Sequence, residues 1–446
     1  MGQGGTLNLL NGTPYTWTQT YVHSYQMNAW SFPATLAPGQ VAAVYVEWDQ
    51  HVSHDQADDA GEVTFALADT SYAFQIQARA PKGVFALQAY LEAISTQNNP
   101  QGSTIPLGWA WNGAVPFVLA GASDNFTSNN PPLAWMQSAR GTLGARTLRE
   151  ICMPGAHDAG MSARNGGTAG AFDCNSLTQT TGIAGQLAAG ARYFDVRPAI
   201  SGGEYYTGHY SDLGNVTWQG ANGQSIQSIV DDVNAFTVDN AELVILDLSH
   251  DLNTDVGNDA YRNFNQGEWD ALFALLAGSL QHLFVAPGDP TSVDLTLLTL
   301  DQFIGAGTPA VVVIFSPGDA STGLGAYHGQ GFYTYAQLNA YNSYSNTNDA
   351  ATMVADQLAK LQVPGVAYRL LSWTLTQDAT EAATCEFGTA SGILDLARTA
   401  NPLLYSKLLP ACSAGVFPNV LFVDDMSDSA IVPLAMAVNQ FLNGSA

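Results

Sequence analysis

The chain is 446 residues long and 46% hydrophobic, enough for a large buried core and for two domains. Only 11% of its residues are charged, and 38 acidic against 13 basic side chains leave a formal net charge of −25. A field of that sign repels nucleic acid and anionic membrane surfaces at neutral pH, so no nucleic-acid partner is expected and phosphate has to be met by a few placed cations.

Residues 1–132 carry short runs rich in Thr, Tyr, Val and Trp, at 14–22, 40–48, 62–67, 71–78 and 84–89, separated by turn residues. That pattern predicts an antiparallel β-sandwich. The segment 120–132, Ala-Gly-Ala-Ser-Asp-Asn-Phe-Thr-Ser-Asn-Asn-Pro-Pro, reads as a linker by composition, so the domains are placed at 1–132 and 133–446. Beyond it, β-branched runs at 150–154, 191–197, 204–208, 242–248, 309–315, 366–373 and 419–423 alternate with helix-period segments at 181–189, 224–238, 266–283, 349–361, 392–409 and 430–442. Seven or eight such units in roughly 300 residues predict an α/β fold, a (β/α)8 TIM-like barrel with chemistry at the carboxyl ends of its strands. The Gly- and Tyr-rich stretch 318–348 is read as a long inserted loop, either a lid or a folded surface excursion.

Four cysteines allow three pairings, and Cys152 with Cys174 and Cys385 with Cys412 is favoured because each pair closes one loop between neighbouring elements. Sequons at Asn11, Asn125, Asn215 and Asn443, scarce Lys and the even cysteine count predict a secreted, glycosylated protein, expected to be a monomer. No apolar run is long enough to span a bilayer.

The strand ending at Pro154-Gly155 exposes His157 and Asp158, an imidazole beside a carboxylate that can titrate near neutral pH. A lone histidine is more often structural, but two further segments change its meaning. Gly190-Ala-Arg-Tyr-Phe-Asp-Val-Arg-Pro198 puts Asp195 and Arg197 on one face at a strand end, and Tyr205-Tyr-Thr-Gly-His209 adds a second imidazole. Arg369 and Trp373, a cation and an aromatic face in Tyr-Arg-Leu-Leu-Ser-Trp, suit a sugar ring and are expected to bind substrate. Asp247 and His250 are a nearby acid and imidazole, read either as metal ligands or as hydrogen-bonding groups at a strand end.

In order, Pro-Gly-x-His-Asp, Gly-x-Arg-x-Phe-Asp-x-Arg and Gly-His resemble the X-domain of phosphatidylinositol-specific phospholipase C, over about Leu133 to Leu442. The resemblance implies a phosphodiesterase acting on phosphatidylinositol at a membrane surface, by internal attack of the inositol 2-hydroxyl, giving diacylglycerol and a cyclic inositol phosphate. It implies His157 as base oriented by Asp424, His209 as acid partnered by Asp158, Arg197 facing the phosphate and Asp195 holding the group in place. Calcium-dependent relatives carry an Asn after the first His and acids elsewhere; here the positions read Asp158, Arg197 and Ser249, so no metal and no cofactor is expected.

The opening Leu7-Asn-Leu-Leu-Asn-Gly-Thr-Pro-Tyr-Thr-Trp17, with Tyr25-Gln-Met-Asn-Ala-Trp30 and Tyr45-Val-Glu-Trp48, resembles an aegerolysin-type sandwich, which implies either lipid recognition or a spacer. Competing readings are a lipid-binding protein with an inactive barrel, and a phosphodiesterase of other phospholipids. Metal-dependent glycerophosphodiesterases and sphingomyelinases carry a Glu-x-Asp triad, from which Asp195-Val196-Arg197 departs.

Overall fold

The computed structural model describes residues 2–214, 217–428 and 430–441, so the sequons at Asn215 and Asn443 and the last residue of the expected helix 430–442 lie outside the described residues. Two compact units are present: 2–132 with 401–417 and 430–441, and 133–400 with 418–428.

The first unit is a sandwich. One sheet runs in the order Asn125–Ser128, Ala114–Ala122, Gln3–Gly12, Val41–Trp48, Met27–Trp30, the other Thr35–Leu36, Trp17–Tyr25, Ala60–Leu67, Ala73–Arg79, Ala86–Tyr90, Thr104–Gly108. Side chains alternate as a pleat requires: in Val41–Trp48, Val44, Val46 and Trp48 are buried while Tyr45 is exposed. Leu7, Leu9 and Val46 of one sheet join Trp17, Phe65 and Phe74 of the other in a single core, with the Trp17 and Phe74 rings edge-on at 4.8 Å.

Three expectations change here. The sheets are not purely antiparallel, because Gln3–Gly12 pairs in parallel with Ala114–Ala122 and the rest of the sandwich serves as the crossover. The stretch 120–132 is no linker: Ala114–Ala122 and Asn125–Ser128 form a hairpin, and its Ser and Asp are the turn, Ser123 and Asp124, at φ 48° and 69°. Asn11 is fully buried, its amide donating to the carbonyls of Tyr15 and Leu36 at 2.8 Å each, so that sequon is closed to glycosylation in the folded chain. The C-terminal helix Ile431–Phe441 belongs to this unit and packs on its strands so closely that a Cβ at Gly12 would stand 2.4 Å from the Ala437 methyl.

The second unit holds eight parallel strands, β1 (Met153–Ala156), β2 (Tyr193–Val196), β3 (Leu243–Ser249), β4 (Ala310–Ser316), β5 (Phe332–Thr334), β6 (Tyr341–Asn342), β7 (Arg369–Trp373) and β8 (Val420–Val423). Their order, β5-β4-β3-β2-β1-β8-β7-β6, is a TIM-like barrel joined between β1 and β8, with its two edges at β5 and β6. The apolar runs 243–246 of β3 and 310–315 of β4 are buried on both faces, as parallel strands under helices must be. The expected strand at 204–208 lies elsewhere: Glu204–Asp212 pairs antiparallel with Pro198–Ser201 and Trp218–Ser225 in a separate small sheet. The stretch 318–348 is not one loop, since it supplies β5 and β6, which at three and two residues are too short to show a period.

At the amino ends of β2 and β3, Arg192 and Glu242 form an ion pair at 2.7 Å with both side chains fully buried, and Glu242 also accepts from the Met136 and Gln137 amides. Removing either partner strands a buried charge. Glu242→Ala is expected to cost about 3–5 kcal/mol of stability, read as a fall in the thermal midpoint; an unchanged midpoint would refute the pair's structural role.

The disulfide joins Cys174 to Cys385 at a Cα separation of 6.0 Å, correcting both expected pairings; Cys152 and Cys412 are buried thiols. The segments that follow β1 and β7 lie side by side, a proximity with no trace in the 211-residue separation.

Candidate active site

The barrel register builds the site. Ala156 ending β1 is paired with Val423 ending β8, so the next residues, His157 and Asp424, emerge together, Nδ1 to Oδ1 at 2.7 Å. Asp195 on β2 lies beside Asp247 on β3, and Arg197 follows at the strand end. The strand Glu204–Asp212 then returns His209 to Asp158, Nδ1 to Oδ2 at 2.7 Å. Asp158 and His250, at φ 40° and 53°, hold left-handed backbone that costs free energy in non-glycine residues and gathers at functional sites.

Arg197 ties these pieces together. Its Nε donates to Asp195 Oδ2 at 2.9 Å, Nη1 lies 3.6 Å from Asp158 Oδ2, and Nη2 meets His157 Nε2 at 2.7 Å. A guanidinium only donates, so His157 Nε2 is the acceptor and its proton sits on Nδ1, facing Asp424. Asp195 has both oxygens engaged, Oδ1 by the Ser249 hydroxyl at 2.5 Å and Oδ2 by Arg197 and the Asp158 amide. Burial, the largest single influence, pushes its carboxyl upward, but Arg197, His250, His157 and the Ser249 hydrogen bond together outweigh it and hold the carboxyl well below the usual carboxylate range. Asp158 Oδ1 is buried with no hydrogen-bond partner among the described residues, leaving the nearby guanidinium as its compensation.

Beside the cluster opens a cavity of about 560 Å³ lined by Tyr193, Asp247, Ser249, Ser316, Tyr344 and Phe422 among others. Burial pushes the Asp247 carboxyl up to about 7, although the hydroxyls of Tyr193 and Ser316 donate to it, each at 2.6 Å. Tyr344 accepts from Arg197 Nη2 at 3.4 Å and its ring lies 5.5 Å from the His157 ring. A second cavity of about 300 Å³ is lined by Arg197, Tyr210, Asp212 and Trp218, and His250 and Asn263 border both.

Of the residues expected from sequence, His157, Asp158, Asp195, Arg197, His209 and Asp424 come together; Arg369 and Trp373 do not. Arg369 opens β7 at the amino end, opposite the cluster, and donates through Nη2 to the Val363 carbonyl at 3.0 Å. Ser372 is in register with cavity-lining Phe422 and so faces inward, which turns Trp373 outward, where it is fully buried with Nε1 on the Ala400 carbonyl at 2.8 Å. Tyr193 and Ser316 were not singled out by sequence; Tyr344 belonged to the tyrosine-rich stretch 318–348, read only as an inserted loop, without a strand to aim it. Among the described residues no three His, Cys, Asp or Glu side chains are grouped to hold a metal ion. Asp247 and His250 instead make hydrogen bonds, to Tyr193 and Ser316 and to Ser249.

Fold and site together define a TIM-like barrel with two imidazole–carboxylate pairs around one guanidinium at the carboxyl ends of its strands. No protein-family model and no curated protein matches the chain. It is similar to solved structures of bacterial phosphatidylinositol-specific phospholipase C. One, from Staphylococcus aureus with pentafluoro-Phe incorporated, is 15% identical, over 70% of this chain and 98% of its own, with a TM-score of 0.46. Another, from Listeria monocytogenes, is 14% identical over 68% and 96%, with a TM-score of 0.40.

Proposed function

We propose that the chain is a phosphatidylinositol-specific phospholipase C that works without a metal ion on phospholipid at a membrane surface. The observation that carries this reading is that one cation, Arg197, touches the base candidate His157 and lies beside Asp158, the carboxylate that holds the acid candidate His209. Internal phosphodiester cleavage needs a base, an acid and positive charge around one phosphorus atom. His157, kept in the Nδ1–H tautomer by Asp424, takes the proton of the inositol 2-hydroxyl on Nε2 as Arg197 turns to the phosphoryl oxygens. The 2-oxygen bonds to phosphorus, the phosphorus–glycerol oxygen bond breaks, and protonated His209 gives its proton to the departing oxygen. Diacylglycerol and a cyclic inositol phosphate result.

Freedom from metal is supported by Asp195, whose oxygens already bond to Ser249, Arg197 and the Asp158 amide, with the guanidinium supplying the charge. Secretion is supported by the disulfide between Cys174 and Cys385. Phosphatidylinositol vesicles incubated with the protein in excess chelator are expected to release diacylglycerol at the rate seen without chelator. Release abolished by the chelator would overturn the metal-free step, and no release under either condition would overturn the function.

A further inference from the structure

His250 borders the acid–base cluster, yet the proposed cycle leaves it unused. It follows β3 directly and lines both the 560 Å³ and the 300 Å³ cavity. The Ser249 hydroxyl lies 2.5 Å from Asp195 Oδ1 and 2.7 Å from His250 Nδ1. An ionised carboxylate only accepts, so the single hydroxyl proton goes to Asp195 and His250 Nδ1 must donate to the serine oxygen. The tautomer is therefore fixed: Nδ1 carries the proton and Nε2 the lone pair, and Nε2 has no hydrogen-bond partner among the described residues. The positive charge of Arg197, with burial second, pushes the imidazole down to about 4, so it stays a neutral acceptor at ordinary pH. Neighbouring donors in the larger cavity are spent, the Tyr193 and Ser316 hydroxyls on Asp247. A ligand entering here meets a fixed, unused acceptor.

We propose that His250 is a specificity-determining residue whose Nε2 accepts a hydrogen bond from one hydroxyl of the headgroup seated in the larger cavity. This assignment rests on the reading of the site as a phosphatidylinositol phospholipase C. His250 is exposed in the chain by itself, and a headgroup seated over it shields Nε2 from water. An acceptor so covered and matched to a donor rejects the analogue that lacks the donor, because the acceptor is then left unpaired. The Asp195–Ser249–His250 chain also couples this contact to Arg197, through the carboxylate both share.

The test compares wild type, His250→Phe and His250→Asn on short-chain phosphatidylinositol and on analogues each lacking one inositol hydroxyl other than the attacking 2-hydroxyl. Asparagine tolerates the left-handed backbone at this position and guards against a variant that misfolds. Wild type is expected to lose about tenfold in kcat/KM on one analogue. Both variants are expected to show that loss already on the parent lipid, chiefly as a raised KM, and to lose nothing more on that analogue. Variants that discriminate among the analogues as wild type does would overturn the assignment while leaving the phospholipase reading in place. A wild type that cleaves no phosphatidylinositol would take down both.

Discussion

His157→Ala is expected to lower kcat for phosphatidylinositol cleavage by roughly 10²- to 10⁴-fold, the range that general acid–base catalysis supplies. The hydroxyl of a polyol does not ionise near neutrality, so its attack depends on a base with an unprotonated nitrogen, which His157 offers once Arg197 turns from it to the phosphate. That nitrogen is Nε2, since the other is bound to Asp424 at 2.7 Å and Arg197 can only donate to it. His157→Gln keeps a polar side chain of similar reach and separates loss of the base from loss of packing. Both variants are expected to fall together, with KM little changed, measured as diacylglycerol released under saturating lipid. A variant within a few-fold of wild type would remove His157 from the reaction.

Arg197→Ala is expected to cost both rate and stability. The rate should fall about 10²- to 10³-fold, the scale seen when one donor to a developing oxyanion is removed. The stability loss should be about 3–5 kcal/mol, the scale for breaking a buried ion pair. Asp158 and Asp195 have side chains only 0% and 5% exposed and share this cation. The pH dependence gives a sharper reading. In the wild type the Asp195 carboxyl is held low, so its contribution to stability is present above the unfolded value of about 3.9 and lost as pH falls through the lower folded value. Burial is the largest single influence on this carboxyl and Arg197 the largest of those opposing it, so loss of the guanidinium is expected to raise the folded value above the unfolded one. The sign then reverses: the folded state binds the extra proton, and the variant loses stability as pH rises from about 4 towards 7. Thermal midpoints across that range are expected to show a gap between wild type and variant that widens with pH. A constant gap would mean that Arg197 does not set the charge state of Asp195.

The barrel was legible because its long strands are written locally. The apolar runs of β3 and β4 and the outer helix periods are patterns of neighbouring residues, and polar residues placed directly after such runs, as His157 and Asp424 are, mark strand ends. His157, Asp158, Asp195, Arg197 and His209 stand in motifs of this kind, while Asp424 was implied by the resemblance. Arg369 and Trp373 failed for a different reason. Their residue types suited a headgroup, but which end of a strand faces the site and which way a side chain turns depend on register with β8, and no local pattern carries register. The same holds for β5 and β6, too short to show alternation, and for Cys174 with Cys385, whose segments meet only when the barrel closes.

Composition, periodicity and three short motifs by themselves determined that this chain is a sandwich followed by a TIM-like barrel, with imidazoles, carboxylates and a guanidinium at its strand ends. Only the tertiary structure decided which cysteines join, that the last helix completes the first unit, that Asn11 is buried, and that His250 lines both cavities with its Nδ1 tied to Ser249. Local order follows from backbone geometry and side-chain pattern within a few residues. Partners hundreds of residues apart are chosen by packing and register, which exist only once the whole chain has folded.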